Sequence, residues 1–404
     1  MTQKMKLYLH IGTEKTGTTF LQKFLYGNRQ RLSDQSVFLS NFLSTPNNRS
    51  LVHYFSDRED DFWAQNGIKT LEDKARHYDG FLEGLTEEIR SAERTHDIML
   101  ITSEHFHSRL VDEASVRKLA KFLSGLFREV EVICYLREQS AVRKSLYSTN
   151  LKGRGTQPYA SFGADEDENS TYYNYYNLVT RWSNVFGAKA MKLRLYDRGQ
   201  FAGNDLRTDF LSLLGDKIKP AALDFQMSSA NESLSLLQAE AFRAINENCN
   251  RYLEGGGFNP VNVQLKKAAT TAQTLKRGGI SDPDQVQFFE RFKESNERLF
   301  HEFLPGTPPF REPVVSVPQY DEKEFSLNEL AVIVHSVFAE ITKTIDAVAL
   351  QDKDATILRD IALKYERNDA LSKDDAISLM ELAARARPSG STIRKKLKSW
   401  KNDT

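Results

Sequence analysis

The run Lys6-Leu7-Tyr8-Leu9-His10-Ile11 leads straight into Gly12-Thr13-Glu14-Lys15-Thr16-Gly17-Thr18-Thr19, and then into Phe20-Leu21-Gln22-Lys23-Phe24-Leu25. The first part is a short apolar stretch of strand type. In the last part Phe20, Leu21, Phe24 and Leu25 recur at helical spacing. Between strand and helix lies a loop of glycine and threonine. In that setting backbone N–H groups converge on an anion, and the helix N-terminus adds favourable partial charge. A Walker A loop reads GxxxxGK[ST]. Here Gly12 and Gly17 keep the glycine spacing and Thr19 keeps the hydroxyl. Thr18 stands where the lysine belongs, and the lysine comes earlier, at Lys15. A Walker lysine cradles the β and γ phosphates of a nucleotide held with Mg²⁺. A lysine in mid-loop instead lies near a single 5'-phosphate and whatever is attached to it.

Outward from this loop, Asp97–Thr102 (DIMLIT), Glu129–Leu136 (EVEVICYL) and Lys189–Tyr196 read as further strands. Asp79–Glu93, Val116–Phe127, 138–152, Tyr172–Phe186 and Asp205–Leu214 read as helices between or after them. Residues 45–75 are polar and read as loop, as does Gly153–Ser170, with its acidic run Asp165–Glu168. The alternation predicts an α/β fold: a P-loop-like, doubly wound, mostly parallel sheet flanked by helices. Such sheets bind ligands beyond the carboxyl ends of their strands. The loop after Ile11, the segment Ser103-Glu104-His105-Phe106-His107, and Arg137 all fall at such ends. Past about residue 228 the chain reads as mainly helical. Ala355–Tyr365 and Asp375–Ala386 form a C-terminal helical hairpin, similar to the tetratricopeptide type, followed by the short basic helix Ser391–Trp400. A lone hairpin cannot bury its own face. It is expected to dock on the main domain or on a protein partner. The division is 1–348 for the main domain and 349–404 for the tail.

Composition sets outer bounds. The 404 residues carry 55 basic and 55 acidic side chains, so the formal charge is zero. A general nucleic-acid binder would carry a basic excess, so none is expected as a partner. There are 2 cysteines, Cys134 and Cys249, and no disulfide framework. The apolar stretch at the N-terminus is too short for a signal peptide, and no 18-residue apolar run exists to span a membrane. The expectation is a cytoplasmic protein.

A second phosphate-holding pair follows. Arg137 ends a strand and Ser145 lies two helical turns on, so both can reach one phosphate, the arginine through its planar fork of donors. With these residues in view, HIGTEKTGTTFLQ resembles the 5'-phosphosulfate loop of sulfotransferases that use PAPS (3'-phosphoadenosine-5'-phosphosulfate), in the form common in bacterial carbohydrate-type members. YLREQSAVRKSLYS resembles that family's 3'-phosphate motif. The resemblance spans roughly residues 5–305, but only these two motifs are specific. It implies donor contacts from Gly12, Thr13, Lys15, Thr16, Gly17, Thr18 and Thr19, and from Arg137 and Ser145. Arg277, in Lys276-Arg277-Gly278-Gly279, is similar to a late basic-glycine loop of cytosolic members, though the tryptophan that continues that motif is absent.

Sulfuryl transfer needs a general base for the acceptor. The resemblance points to the segment after DIMLIT, where some branches use histidine and others glutamate. Glu104 is the first candidate and His105 the second. Lys15 would offset charge on the leaving oxygen. The expected donor is PAPS, with PAP (adenosine 3',5'-bisphosphate) as product and no metal required. The expected acceptor is a hydroxyl or amine of a carbohydrate or glycan precursor. Two other readings stay open: a P-loop kinase or phosphotransferase, and a non-catalytic binding protein on a sulfotransferase fold.

Overall fold

Five strands make one sheet: β1 Lys6–His10, β2 Val37–Phe38, β3 Ile98–Thr102, β4 Glu129–Leu136 and β5 Met191–Leu195. Their order is β2-β3-β1-β4-β5 and every pairing is parallel. This computed structural model describes residues 4–226, 233–253, 257–272, 275–276, 284–314, 352–366 and 373–402. The chain divides into two compact units. One takes in 1–143, 163–231 and 284–314, the other 144–162, 232–283 and 315–404.

The sheet belongs to the first unit. Successive side chains of a strand point to opposite faces, and both faces are apolar. Leu7, Leu9, Met99, Ile101, Val132 and Cys134 pack on one side against Leu85 and Ile89 of helix Phe81–Ala92, Leu119 and Leu123 of Glu113–Leu126, and Trp182 of Tyr175–Phe186. Tyr8, Leu100, Ile133 and Tyr135 pack on the other side against Phe24 and Leu25 of helix Thr18–Gly27 and Phe210 of Leu206–Leu213. Helices on both faces force the near-continuous hydrophobic strands read in the sequence. The expected α/β class with a parallel sheet between helices is what the chain forms.

Three local readings change. Residues 45–75 hold the short helices Arg49–Phe55, Asp61–Gln65 and Leu71–His77. Each is shorter than the window over which helical periodicity is legible. Yet Leu51, Val52 and Trp63 are buried, and Thr70 with Asp73 forms a capping box. The helix read from Tyr172 begins at Tyr175, because the Asn174 side chain accepts from the Asn177 N–H and caps it there. The two-residue β2 was too short to read at all.

The second unit is helical among its described residues. Leu151, Leu237, Phe242, Ala269 and Leu275 share one core. Helices Asp352–Glu366, Lys373–Ala386 and Ser391–Asn402 share another, through Ala355, Ala362, Leu379, Met380, Ala383, Ile393 and Trp400.

Trp182 is fully buried between Phe106, at 6.0 Å edge-on, and Phe186, stacked at 5.7 Å. Trp182→Ala is expected to destabilise the first unit by about 3–5 kcal/mol. A urea titration followed by far-UV circular dichroism measures this.

Candidate anion-binding site

Because β1 lies between β3 and β4, three strand ends meet. The loop after β1 is fastened to β4 at two points: the Thr13 N–H donates to the Tyr135 carbonyl (2.8 Å) and the Tyr135 N–H donates to the Gly12 carbonyl (2.6 Å). On the other flank the Ser103 N–H donates to the His10 carbonyl (2.9 Å). A Cβ at Gly12 would lie 3.1 Å from Cα of Glu104. Only glycine lets the β3 end come this close.

Three loop residues have positive φ: Gly12 at 102°, Lys15 at 66° and Gly17 at 73°. Alternation of this kind turns successive N–H groups toward one concave side. Among the described residues, no acceptor lies on the backbone N–H groups of Thr16, Gly17, Thr18 or Thr19. They open the helix Thr18–Gly27, whose N-cap is Gly17, so the positive end of a ten-residue helix faces the same way. The hydroxyls behave differently. Thr13 Oγ1 donates to the Tyr135 carbonyl (3.0 Å) and Thr16 Oγ1 to the Thr13 carbonyl (2.6 Å). These two threonines shape the loop with their side chains, and Thr13 has no donor left for a ligand.

Arg137, directly after β4, reaches the loop. Its Nη1 donates to the Lys15 carbonyl (2.9 Å), and its guanidinium lies 5.4 Å from the centre of the Tyr196 ring. Tyr196 follows β5 and also lies against Gly17, where a Cβ would meet its ring at 3.2 Å. The Arg137 carbonyl accepts from the Tyr175 hydroxyl (2.7 Å). Ser145 is half-buried on helix Gln139–Gly153, in the part of that helix that belongs to the second unit. Arg277 lies outside the described residues. The first turn of that helix is occupied by its own chain: the Glu138 carboxylate accepts from the N–H groups of Ser140 and Ala141 and from the Ser140 hydroxyl. Burial raises the pKa of Glu138. The N–H groups of Ser140 and Ala141 are therefore already satisfied within the chain.

Glu104 is half-buried, and its Oε2 accepts from Nε2 of Gln22 (2.6 Å). That bond orients the carboxylate beside the loop. His105 opens the helix His105–Arg109, and its Nδ1 is buried without a partner among the described residues. Burial lowers its pKa against the opposing charge of Glu104, which favours the neutral ring. His107 has a different task. Its Nε2 lies 2.8 Å from the Tyr172 carbonyl and its Nδ1 accepts from the Glu14 N–H at 3.4 Å. One neutral tautomer satisfies both bonds.

Glu14 was not singled out in the sequence, yet it ties the loop to two neighbours. Burial opposes its ionisation, but a hydrogen bond from Ser108 and the charge of Arg109 outweigh burial and lower its pKa. It accepts from the Tyr172 hydroxyl (3.1 Å), and Arg109 lies 3.8 Å away. Arg109 also donates to Asp60 (2.7 Å), which Arg49 bonds as well (2.9 Å). Asp60 falls to about 2, because these partners overcome its partial burial. Two of the overlooked residues had a sequence signal. Gln22 stands four residues after Thr18 on the same helical face, and Tyr196 ends the strand read in the sequence at Lys189–Tyr196. Glu14, Arg109 and Tyr172 had none, since they meet only through the fold.

No family model matches this sequence. An uncharacterized protein of Archaeoglobus fulgidus is 30% identical over 206 residues, which is 51% of this chain and 54% of that protein. The chain thus spans about half the length of the curated relative it matches. A sulfotransferase crystal structure from Alicyclobacillus acidocaldarius aligns over 60% of this chain and 92% of its own, with 17% identity and a TM-score of 0.35. Among the described residues, no helix is long and apolar enough to cross a membrane.

Burial holds His10 and His53 at about 3 and His107 at about 4. The unfolded chain takes up these protons near pH 6.5. Between the two values the unfolded state binds more protons, so stability rises with pH there. Acidification from about pH 6.5 to 4 should remove up to about 1.4 kcal/mol per pH unit for each histidine. A series of thermal melts should show Tm flat above about pH 7.5 and falling steeply below 6.5. A Tm independent of pH down to 4.5 would contradict the neutral assignment.

Proposed function

We propose that this chain is a sulfotransferase that moves a sulfuryl group from PAPS to a hydroxyl or amine of an acceptor, a carbohydrate or glycan precursor. One observation carries the reading most. The loop after the central strand offers four backbone N–H groups without acceptors among the described residues, has its lysine at position 15 instead of 18, and is bonded to Arg137 from the adjacent strand. This arrangement suits one 5'-phosphate with a group attached, together with a second phosphate near Arg137. A displaced lysine disfavours the Walker arrangement of a kinase. The donor supplies the sulfuryl group and departs as PAP.

The chain's own residues then have separate tasks. The N–H groups of Thr16 through Thr19 hold the 5'-phosphate, and Arg137 holds the 3'-phosphate. Binding a part of the donor remote from the chemistry orients the part that reacts. Tyr196, against both Gly17 and Arg137, closes the side of this cradle. Glu104, oriented by Gln22, takes the proton of the acceptor as its oxygen or nitrogen bonds to sulfur. His105 is the alternative base. The bond from sulfur to the bridging oxygen breaks, and Lys15 offsets the charge growing there. Residues 1–348 carry this chemistry in the proposal and 349–404 form an appended module. The acceptor is met in the cytoplasm.

Calorimetric titration with PAP, with and without Mg²⁺, tests the donor site. Wild-type protein is expected to bind PAP without metal and far more tightly than ATP. Arg137→Ala and Lys15→Ala should each weaken PAP by about tenfold or more, since a charge-assisted contact contributes roughly 1.5–3 kcal/mol. Mg²⁺-dependent ATP binding, or no PAP binding, would refute the proposal. Given an acceptor, Glu104→Gln should lower kcat by about 10²–10⁴ and leave PAP affinity nearly unchanged.

A further inference from the structure

The helix Ser391–Asn402 carries Arg394, Lys395, Lys396, Lys398 and Lys401 and no acid, within a chain whose formal charge is zero. Its apolar side is already used. Ile393 and Trp400 are buried in the core formed with Asp352–Glu366 and Lys373–Ala386, and Leu397 packs against that core. Arg394, Lys395, Lys398 and Lys401 are exposed. Positions 394, 398 and 401 follow the spacing of a single helical face, over about 10 Å at 1.5 Å per residue. Lys401 pairs with Glu381. Among the described residues no acid pairs with Arg394, Lys395 or Lys398.

Part of this pattern works against the helix itself. Like charges four apart, as at Arg394 and Lys398, destabilise a helix. A cation in the first turn, where Arg394 sits, meets the positive end of the dipole. Residues chosen for folding alone would alternate sign here. The arrangement becomes favourable when an extended polyanion lies along the face.

We propose that this face of the C-terminal module binds an anionic polysaccharide, one bearing sulfate or carboxylate groups along its length. The identity of the polymer rests on the carbohydrate reading above: a glycan that gains sulfates becomes a polyanion. Charge complementarity favours it. A membrane surface fits less well, because an interfacial helix must insert an apolar face, and Ile393, Leu397 and Trp400 are turned inward. A nucleic acid would meet the same cations through its phosphates and is the competing occupant that the test separates.

The test uses the full chain and a fluorescein-labelled heparin oligosaccharide, with binding read by fluorescence polarisation at several salt concentrations. Wild type should bind, and affinity should fall steeply with salt. The triple variant Arg394→Gln, Lys395→Gln, Lys398→Gln should lose at least about tenfold, and its slope of log K against log salt should shrink by about 2–3, from roughly 0.7–0.9 per lost contact. The variant Lys395→Arg, Lys398→Arg keeps the charge and should bind like wild type, which separates loss of contact from loss of fold. Equal affinity and slope in wild type and triple variant would overturn the proposal. So would tighter binding of a DNA duplex or of phosphatidylserine vesicles than of heparin. PAP titration of the same proteins keeps the two readings apart. The triple variant should bind PAP as wild type does. Heparin binding by a wild type that does not bind PAP would overturn the donor site and leave this surface standing.

Discussion

Two backbone hydrogen bonds between Gly12–Thr13 and Tyr135 hold the site together. They carry the pairing of β1 and β4 past the end of β1, so the loop leaves the sheet already fastened on one side. Everything else at the site depends on that placement. Arg137 lies two residues after Tyr135 and so reaches the Lys15 carbonyl. Glu104 follows Ser103, whose N–H is bonded to His10 on the other flank, and so stands beside Gly12. The central position of β1 in the order β2-β3-β1-β4-β5 is what brings one chemically useful residue from each neighbouring strand to a single loop.

The electrostatics follow the same economy of position. The loop carries one cation, Lys15, and one half-buried anion, Glu14. An anion inside a loop proposed to bind a phosphate would be a liability if its charge faced the ligand. Here the Glu14 carboxylate is turned to Ser108, Arg109 and Tyr172. Its charge is met there and serves to anchor the loop. His107 does the same work from the neutral side, bridging the Glu14 N–H and the Tyr172 carbonyl. Removing either partner would leave a buried polar group without its bond, the costly direction of the hydrogen-bond asymmetry.

Much of this was legible in the sequence, for a physical reason. β1, β3 and β4 are apolar on both faces, and strands buried between two helical layers must be. Residues at their carboxyl ends could therefore be named from the chain alone: the glycine loop, Glu104 and Arg137. What stayed hidden depends on approach between distant segments. Tyr172 meets Glu14, and Arg109 joins Asp60 to the loop, only after the sheet has formed. Residues 45–75 hid three helices too short for periodicity to show. The threonines misled in a simpler way. A hydroxyl in a phosphate loop invites assignment to the ligand, but Thr13 and Thr16 direct theirs to backbone carbonyls. Glu138 likewise directs its carboxylate to the N–H groups of Ser140 and Ala141, a cap that the sequence reading did not name.

In the proposed function, this loop and the end of β4 together grip a bisphosphorylated adenosine. Hydrogen–deuterium exchange read by mass spectrometry tests it directly, with protein alone, with PAP, and with ATP and Mg²⁺. PAP should slow exchange in the peptide covering Thr16–Thr19, whose N–H groups lack acceptors among the described residues, and in the peptide covering Arg137, with little change from ATP and Mg²⁺. Unchanged exchange at Thr16–Thr19 under saturating PAP, or slowing by ATP and Mg²⁺ alone, would contradict it.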